Sequence, residues 1–506
     1  MGNQAVGFDS ARYLEEQSEY ILERAKSFDD RLYLEFGGKL ISDHHASRVL
    51  PGFDPHAKVR LLQRLKDVTD IILCIYAGDI ERKKLRADFG ITYDVDVLRL
   101  LDEFASWGLH VAAVVITRYE EQPAAVQFKH GLERRGVRVY THRATKGYPT
   151  DVDTIASEEG YGANPYIEVS RPVVVVTAPG PGSGKMATCL SQVYHDHQRG
   201  RKSGYSKFET FPIWNLPLKH PVNIAYEAAT ADLGDVNMVD PFHLEATGEQ
   251  AINYNRDIEI FPVLRRILEK VTGAESPYQS PTQMGVNRAG FAITDDAVVR
   301  EAATQEVIRR YFRYGCEHAL GFASPETLER ATLLMEEIGG SPEQRPVVPV
   351  AREAATRAVD AGKGKEGVYC GAALCLSDGR IVAGSNSNAM HATSSLVLNA
   401  VKTLAEIPHE MEILTENTIA SITRLKRDIL ETRQLSLDLE ETLIALSVSA
   451  ISNSAAKVAM EKLTALRGCE MHLTHMPPPG DEAGLRVLGV NVTSDPHFAG
   501  KNLYIT

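Results

Sequence analysis

The segment with the clearest chemical meaning is a glycine-rich turn that ends in Gly-Lys. Residues 177–185 read TAPGPGSGK, and they follow an apolar run over 173–176. A helical pattern over 186–198 comes next. A strand, a glycine-rich turn and a helix in that order make a phosphate-binding loop, where backbone N–H groups and the helix N-terminus face an anion. The sequence therefore predicts a nucleotide or another phosphorylated ligand at this turn.

Lys185 is the strongest candidate within this turn, both as a phosphate ligand and as a catalytic residue. A lysine in the first turn of a helix is unfavourable unless an anion is present, which favours phosphate binding over a plain tight turn. The pattern departs from the full motif at Pro179, where Gly is expected, and at Met186, where a hydroxyl normally ligates Mg²⁺. Thr188 is a candidate replacement for that hydroxyl. The predicted ligand-binding set is Gly180, Gly182, Ser183, Gly184, Lys185 and Thr188.

A nucleoside triphosphate such as ATP needs a carboxylate that holds Mg²⁺ near its phosphates. The stretch 236–245 is the nearest approximation, and we predict Asp240, His243 and Glu245 as the metal group. The alternative for Asp240 is a helix cap, because it precedes Pro241.

A second polar constellation follows a strand-like run over 470–474. His475, Asp481, Glu482 and Arg486 are predicted to gather at the end of that strand, where they would supply acid–base groups or a carboxylate clamp. The alternative is a structural turn. Two further loops stay open between ligand contact and ordinary loop chemistry: residues 43–47, which read DHHAS, and the small-residue stretch 384–395.

The elements that must position these residues alternate between strand-like and helical patterns. Apolar runs over 32–36, 71–77, 110–117, 137–142 and 173–177 are separated by helical periods. This alternation is typical of a parallel sheet covered on both faces. The predicted fold is α/β, with a Rossmann-like or P-loop-like parallel sheet in the N-terminal part and a second α/β domain at the C-terminus.

Proline, glycine and polar residues cluster over 339–346 as in a linker between domains. We predict 1–165 and 166–338 as two segments of the first α/β part and 347–506 as the C-terminal domain. The polar, aromatic and proline-studded stretch 208–263 is either a pocket wall or a packing insert.

Composition limits the class of protein. The chain has 506 residues, a net charge of -12 and six scattered cysteines. The acidic balance argues against nucleic acid as a partner, and neither a signal peptide nor a membrane-spanning run is visible. We expect a cytoplasmic protein with reduced cysteines that forms homo-oligomers and acts on a small molecule.

Several long motifs also resemble a known family. The resemblance rests on YLEFGGKL (33–40), HASRVLPGF (45–53), TAPGPGSGKMATCLSQ (177–192), KFETFPIWNLPLKHP (207–221), DPFHLE (240–245) and GDEAGLR (480–486). On these motifs nearly the whole chain resembles the uncharacterised bacterial family called domain of unknown function 1846. Gln283 stands where the family pattern leads us to expect an aspartate. The resemblance implies no established activity.

The residues together favour an enzyme that binds a nucleotide or another phosphate ligand, with ATP-dependent phosphoryl transfer or ligation on a small polar substrate. One alternative is an enzyme that binds a phosphorylated metabolite without turning over a triphosphate. A metal-dependent hydrolase and a nucleotide-sensing protein are the others.

Overall fold

A computed structural model describes residues 5–28, 31–38, 40–86, 90–432 and 434–500. The chain divides into two compact units, Ala5–Ala303 and a unit that begins at Thr304. The N-terminal unit contains a parallel sheet and the C-terminal unit a separate mixed sheet, which confirms the predicted α/β fold. The division into 1–165, 166–338 and 347–506 stays a prediction.

The strands of the N-terminal unit are β1 (Arg31–Phe36), β2 (Thr69–Tyr76), β3 (Leu85–Arg86), β4 (Ile91–Thr92), β5 (Val111–Thr117), β6 (Val139–His142), β7 (Val173–Thr177), β8 (Ser203–Phe208), β9 (Asn237–Val239) and β10 (Ile252–Tyr254). The C-terminal unit has β11 (Gly371–Cys375), β12 (Ile381–Ser385), β13 (Glu470–Leu473) and β14 (Asn491–Ser494).

The helices of both units, in chain order, are α1 (Ser10–Lys26), α2 (His44–Val49), α3 (Ala57–Arg64), α4 (Ala77–Glu81), α5 (Tyr93–Ser106), α6 (Pro123–Glu133), α7 (Val152–Ile155), α8 (Lys185–Gln198), α9 (Pro221–Ala229), α10 (Pro241–Thr247), α11 (Asn255–Thr272), α12 (Pro281–Met284), α13 (Asp296–Ala319), α14 (Pro325–Glu337), α15 (Val347–Asp360), α16 (Ala392–Leu404), α17 (Glu416–Arg424), α18 (Leu439–Ser449), α19 (Ser454–Glu461) and α20 (Pro479–Leu488).

Six strands form the main sheet, in the order β6-β5-β2-β7-β1-β8, and every neighbouring pair is parallel. The strands β2, β5 and β7 are rich in Val, Ile and Leu, and β1 and β7 are buried along their whole length. Such continuous apolar runs are expected where helices cover both faces of a sheet. The helix α8 packs on one face through Cys189, Leu190 and Val193, which lie in one core cluster with Tyr33 and Val174.

The strand order creates a point where the chain changes direction across the sheet. From β2 the chain runs through α4 and α5 to β5, toward one edge, whereas from β7 it runs through α8 to β8, toward the other edge. Right-handed crossovers therefore place these helices on opposite faces. Because β2 and β7 are neighbours, this topology predicts a crevice at their carboxyl ends, where ligands bind in open α/β sheets.

The C-terminal unit is built on a four-stranded sheet in the order β12-β11-β13-β14. β11 pairs antiparallel with β12 and β13, and β13 pairs parallel with β14. Its core includes Leu374 and Met471 from the sheet and Leu396, Val401 and Leu446 from the helices.

All six cysteines of the chain are free thiols. Within the described residues, no helix combines the length and the apolar character needed to cross a membrane.

Candidate functional site

The glycine-rich turn lies at the carboxyl end of β7 and leads directly into α8. Gly182 and Gly184 have φ angles of +72° and +81°, and Gly184 is the N-cap of α8. The carbonyl oxygens of the turn are bound by the protein. The Thr117 hydroxyl donates to the Ser183 oxygen at 2.9 Å, and the Arg118 guanidinium donates to the Gly182 oxygen. Thr117 and Arg118, at the end of β5, therefore hold the turn by donating hydrogen bonds to its carbonyl oxygens.

The amide side of the turn is different. Within the part of the chain that the structure describes, the amides of Gly182, Gly184 and Lys185 donate to no protein acceptor. The half-buried Lys185 forms no salt bridge with any described carboxylate. Unpaired amides at the start of a long helix, with a lysine beside them, form an environment that suits an anion.

Thr188 does not face this environment. Its side chain is buried, its hydroxyl donates to the Gly184 carbonyl oxygen at 3.0 Å, and the thiol of Cys74 donates to it at 3.5 Å. The hydroxyl thus points into the core between α8 and β2, so the structure gives no support to Thr188 as the substitute for the hydroxyl that Met186 lacks.

The structure does not assemble Asp240, His243 and Glu245 into a metal site. Asp240 is fully buried as the N-cap of α10, where one carboxylate oxygen accepts the amides of Phe242 and His243 at 3.0 Å each. Its other oxygen accepts the amide and hydroxyl of Thr282 at 3.2 and 2.6 Å. The capping alternative therefore describes this aspartate.

The other two members of that group point elsewhere. The Nδ1 atom of His243 lies 3.2 Å from the Ser280 hydroxyl, and Glu245 is exposed on the surface of α10. Among the described residues, no group of three or more His, Cys, Asp or Glu side chains is arranged to hold a metal ion.

A charged cluster that sequence reasoning missed lies at the carboxyl ends of β1 and β8. We call Glu35, Lys207, Glu209 and Asp257 the edge cluster. The Lys207 ammonium is 2.6 Å from Asp257 and 3.0 Å from Glu209, and Glu35 accepts a hydrogen bond from the Tyr205 hydroxyl at 2.6 Å. Lys207 and Glu209 are two residues apart at the end of a strand, so their shared face was readable from the sequence. Asp257, from α11, had no such signal.

Burial and mutual charge change the proton affinities of the edge cluster. Burial raises the pKa of Glu209, although the Lys207 ammonium opposes this effect. Burial alone would lower the pKa of Lys207, but Asp257 and Glu209 outweigh it and raise that pKa. A largely buried carboxyl with a raised pKa beside a lysine is a combination that recurs among acid–base groups.

The edge cluster borders a pocket that contains about 450 Å³ of empty space, part of it open to solvent. Lys207, Glu209 and Asp257 line it. The stretch 208–263 contributes Phe211, Pro212, Trp214, Ile252 and Asn253 to the same lining. Part of that stretch therefore lines a pocket, as the first interpretation predicts, whereas other residues in it, such as Ile213 and Ala225, are buried in the core.

The edge cluster and the glycine-rich turn lie near the same thiol. Burial raises the pKa of Cys74 to about 12, and the charges of Lys185 and Glu35 act on it in opposite directions. Because β1 pairs in parallel with β7 and with β8, the loop after β7 and the edge cluster at the ends of β1 and β8 lie at the same edge of the sheet.

In the C-terminal unit, the structure brings together only part of the predicted set. Asp481 is fully buried and accepts hydrogen bonds from Nδ1 of His391 at 2.9 Å and from the Leu439 amide at 2.8 Å. Its carboxylate also acts on His475, whose pKa is lowered to about 4, chiefly by burial. Glu482 and Arg486 instead form an exposed ion pair on α20 at 2.7 Å.

His391 is the partner that the predicted set omitted. It lies in the small-residue stretch 384–395, and its Nε2 is 2.8 Å from the side-chain nitrogen of Gln434. His391 and Asp481 are 90 residues apart in sequence, so no spacing in the chain indicated their pairing.

Residues 43–47 were expected to form a polar turn, but the helix α2 begins at His44. Asp43 caps that helix by accepting the Ala46 amide at 3.1 Å, and it pairs with the buried Lys58 at 2.9 Å. Burial opposes ionisation of Asp43, yet the Lys58 charge lowers its pKa.

Family models cover both units of the chain. The model for the N-terminal part of the domain of unknown function DUF1846 matches residues 6–339, and the model for its C-terminal part matches residues 343–504. The chain belongs to the DUF1846 family. Two similar relatives are a "UPF0371 protein" of Clostridium tetani (strain Massachusetts / E88) and one of Clostridium botulinum (strain Alaska E43 / Type E3). Each is 56% identical over 499 residues, which is 99% of this chain and 99% of the relative.

Proposed function

We propose that the N-terminal unit binds a phosphorylated small molecule at the glycine-rich turn and that the chain is an enzyme acting on this ligand. The observation that carries the proposal is the turn itself. Its carbonyl oxygens are held by Thr117 and Arg118, while the amides of Gly182, Gly184 and Lys185 have no protein acceptor among the described residues. The turn lies at the carboxyl end of β7, beside β2, where this sheet topology predicts a ligand-binding crevice.

The edge cluster would supply the chemistry. Glu209, with its raised pKa, retains a proton more readily than an exposed glutamate and can donate it to a group in the adjoining pocket. Lys207 stays charged and would orient or neutralise a negative group formed there. The glycine-rich turn would thus bind the phosphate, and the pocket beside the edge cluster would hold the group that reacts.

The phosphate donor or ligand can be ATP with Mg²⁺, in a phosphoryl transfer or ligation, or a phosphorylated metabolite that needs no triphosphate. Two observations favour the second version. Met186 offers no hydroxyl to a metal, and all the acceptor capacity seen at Asp240 is directed to Phe242, His243 and Thr282.

Isothermal titration with ATP, AMP and inorganic phosphate, each with and without Mg²⁺, tests the proposal. Lys185→Ala should weaken binding of the phosphorylated probes by about 10- to 100-fold, the equivalent of one charge-assisted hydrogen bond. The exposed Lys66, changed to Ala, is the matched control and should leave binding unchanged. The proposal fails if the wild type binds none of the probes or if Lys185→Ala binds them as tightly as the wild type.

The titration also separates the two versions. Binding of ATP that strengthens with Mg²⁺ favours the triphosphate version, whereas binding of inorganic phosphate and AMP without a metal effect favours the other.

A further inference from the structure

An arginine whose charge no carboxylate balances lies against the glycine-rich turn. Arg118 directly follows β5, and its guanidinium donates a hydrogen bond to the Gly182 carbonyl oxygen. Its remaining N–H groups donate to no acceptor among the described residues. The two carboxylates that follow it in the chain, Glu120 and Glu121, form no ion pair with it. Because the residue is exposed, solvent surrounds the rest of the guanidinium and a ligand can reach it.

The protein holds this guanidinium in place. Its central carbon lies 3.7 Å from the centroid of the Tyr76 ring, a cation–π contact at the end of β2. The backbone of Arg118 has a φ of +48°, a left-handed conformation that is unfavourable for a residue other than glycine. The Gln122 side chain donates to the Arg118 carbonyl oxygen at 3.1 Å. The charge is therefore positioned before any ligand arrives.

The Arg118 charge is close to the unpaired amides of the turn. The carbonyl oxygen and the amide nitrogen of one residue are at most about 3.6 Å apart, and an N–H···O hydrogen bond spans about 3 Å. The donating nitrogen of Arg118 thus lies within about 7 Å of the Gly182 amide nitrogen. This distance is comparable with the Debye length, about 8 Å at physiological ionic strength. A phosphate on these amides therefore interacts with Arg118 as well as with Lys185.

Two cations without carboxylate partners match the charge of one kind of phosphate. A phosphate monoester carries close to two negative charges at neutral pH because its second pKa is about 6, whereas a phosphodiester carries one. We propose that Arg118 supplies the second positive charge of the turn and that the ligand presents a terminal, doubly charged phosphate there. The inference rests on the proposed function and narrows its ligand from any phosphorylated molecule to one with a terminal phosphate.

A matched pair of probes tests this class. AMP and its 5′-phosphate methyl ester differ by one methyl group, which removes one negative charge from the phosphate. Isothermal titration at pH 8 keeps AMP doubly charged. The wild type should bind AMP at least about tenfold more tightly than the ester, which corresponds to one charge-assisted contact. If inorganic phosphate binds but AMP does not, methyl phosphate and dimethyl phosphate are the pair.

Substitutions then assign the preference to Arg118. Arg118→Gln removes the charge but retains a side-chain N–H donor for the Gly182 carbonyl oxygen, and it should reduce the preference about three- to fivefold, the range of an exposed ion pair. Arg118→Lys retains the charge and should reduce the preference by less than about twofold. The exposed Arg134, changed to Gln, is the control and should retain the preference.

The outcomes separate this inference from the proposed function. If the wild type binds the monoester and the diester equally well, the proposed function stands and this inference is wrong. A preference that Arg118→Gln retains in full also overturns the inference. So does a preference that Arg118→Lys loses as completely as Arg118→Gln, because Arg118 would then only hold the turn. If no phosphorylated probe binds, both proposals are wrong.

Discussion

Gly184→Ala should destabilise the N-terminal unit more than Gly182→Ala, although both glycines have positive φ angles. At Gly182, with φ +72°, an added Cβ would meet no atom within 4 Å. Gly182→Ala should then lower the free energy of unfolding by about 1 kcal/mol, because the left-handed backbone conformation is unfavourable for alanine. At Gly184, with φ +81°, the Cβ would lie 2.9 Å from the Thr117 methyl and 3.0 Å from its hydroxyl.

Thr117 has little freedom to move away. It is buried, and its hydroxyl donates to the Ser183 carbonyl oxygen at 2.9 Å. Crowding in a packed site costs about 1 to 3 kcal/mol, so the total for Gly184→Ala is about 2 to 4 kcal/mol when the backbone cost is added. Thr117→Ser removes the methyl group, the nearest of the three crowded atoms, and retains the hydroxyl, so it should return part of the crowding cost in the double variant.

Urea unfolding followed by tryptophan fluorescence measures these differences. The two tryptophans of the chain, Trp107 and Trp214, both lie in the N-terminal unit, so the signal reports that unit. Equal stability of Gly182→Ala and Gly184→Ala would refute the reasoning, as would a double variant that is no more stable than Gly184→Ala. The first result would mean that the turn can relax away from Thr117.

Three further predictions concern buried titratable side chains. Lys207→Met should cost about 3 kcal/mol because it removes the nearest cation of the buried carboxylates of Asp257 and Glu209 and leaves them the more distant Arg256, 3.9 Å from Glu209. Adding Asp257→Asn should recover part of this cost in the same urea assay, and no recovery would contradict the pairing. Asp240→Ala should lower the free energy of unfolding by about 2 kcal/mol because α10 loses its N-cap. The effect of Mg²⁺ on ATP titrations should stay unchanged, and its loss in this variant would show that Asp240 binds the metal. The pKa of His475 is about 4 in the folded protein, against an ordinary value of 6.5. As the pH falls below 6.5, the unfolded chain is therefore protonated at this residue before the folded protein is. The free energy of unfolding is thus unaffected by this residue's protonation above pH 6.5 and decreases as the pH falls from 6.5 toward 4. At pH 5 the free energy of unfolding is lower by about 2 kcal/mol for this reason. Between pH 7 and pH 5, His475→Asn should therefore lose about 2 kcal/mol less stability than the wild type, measured by urea unfolding followed by circular dichroism. Equal losses in the two proteins would count against the burial of a neutral His475 ring.

The predictable part of the site is local in sequence. The turn over 180–184, its position after a buried strand and the helix that begins at Lys185 all follow from neighbouring residues. The same local reading placed Asp240 among metal ligands, with a helix cap as the alternative. The choice between them depended on Thr282, whose amide and hydroxyl occupy the second carboxylate oxygen. A contact between residues 42 positions apart has no signature in a single sequence.

The sequence by itself determined the α/β class, the parallel sheet and the glycine-rich turn, because backbone geometry and the burial of apolar strands act over a few residues. Only the tertiary structure decided which side chains meet at the edge of that sheet. Strand order puts β8 beside β1 and so brings Lys207 near Glu35, and α11 adds Asp257. The same folding placed the Arg118 guanidinium on the Gly182 carbonyl oxygen, 64 residues away in sequence. The charged side chains meet at this edge because strand order and helix packing bring distant segments together. Local residue spacing predicts neither the strand order nor the helix packing.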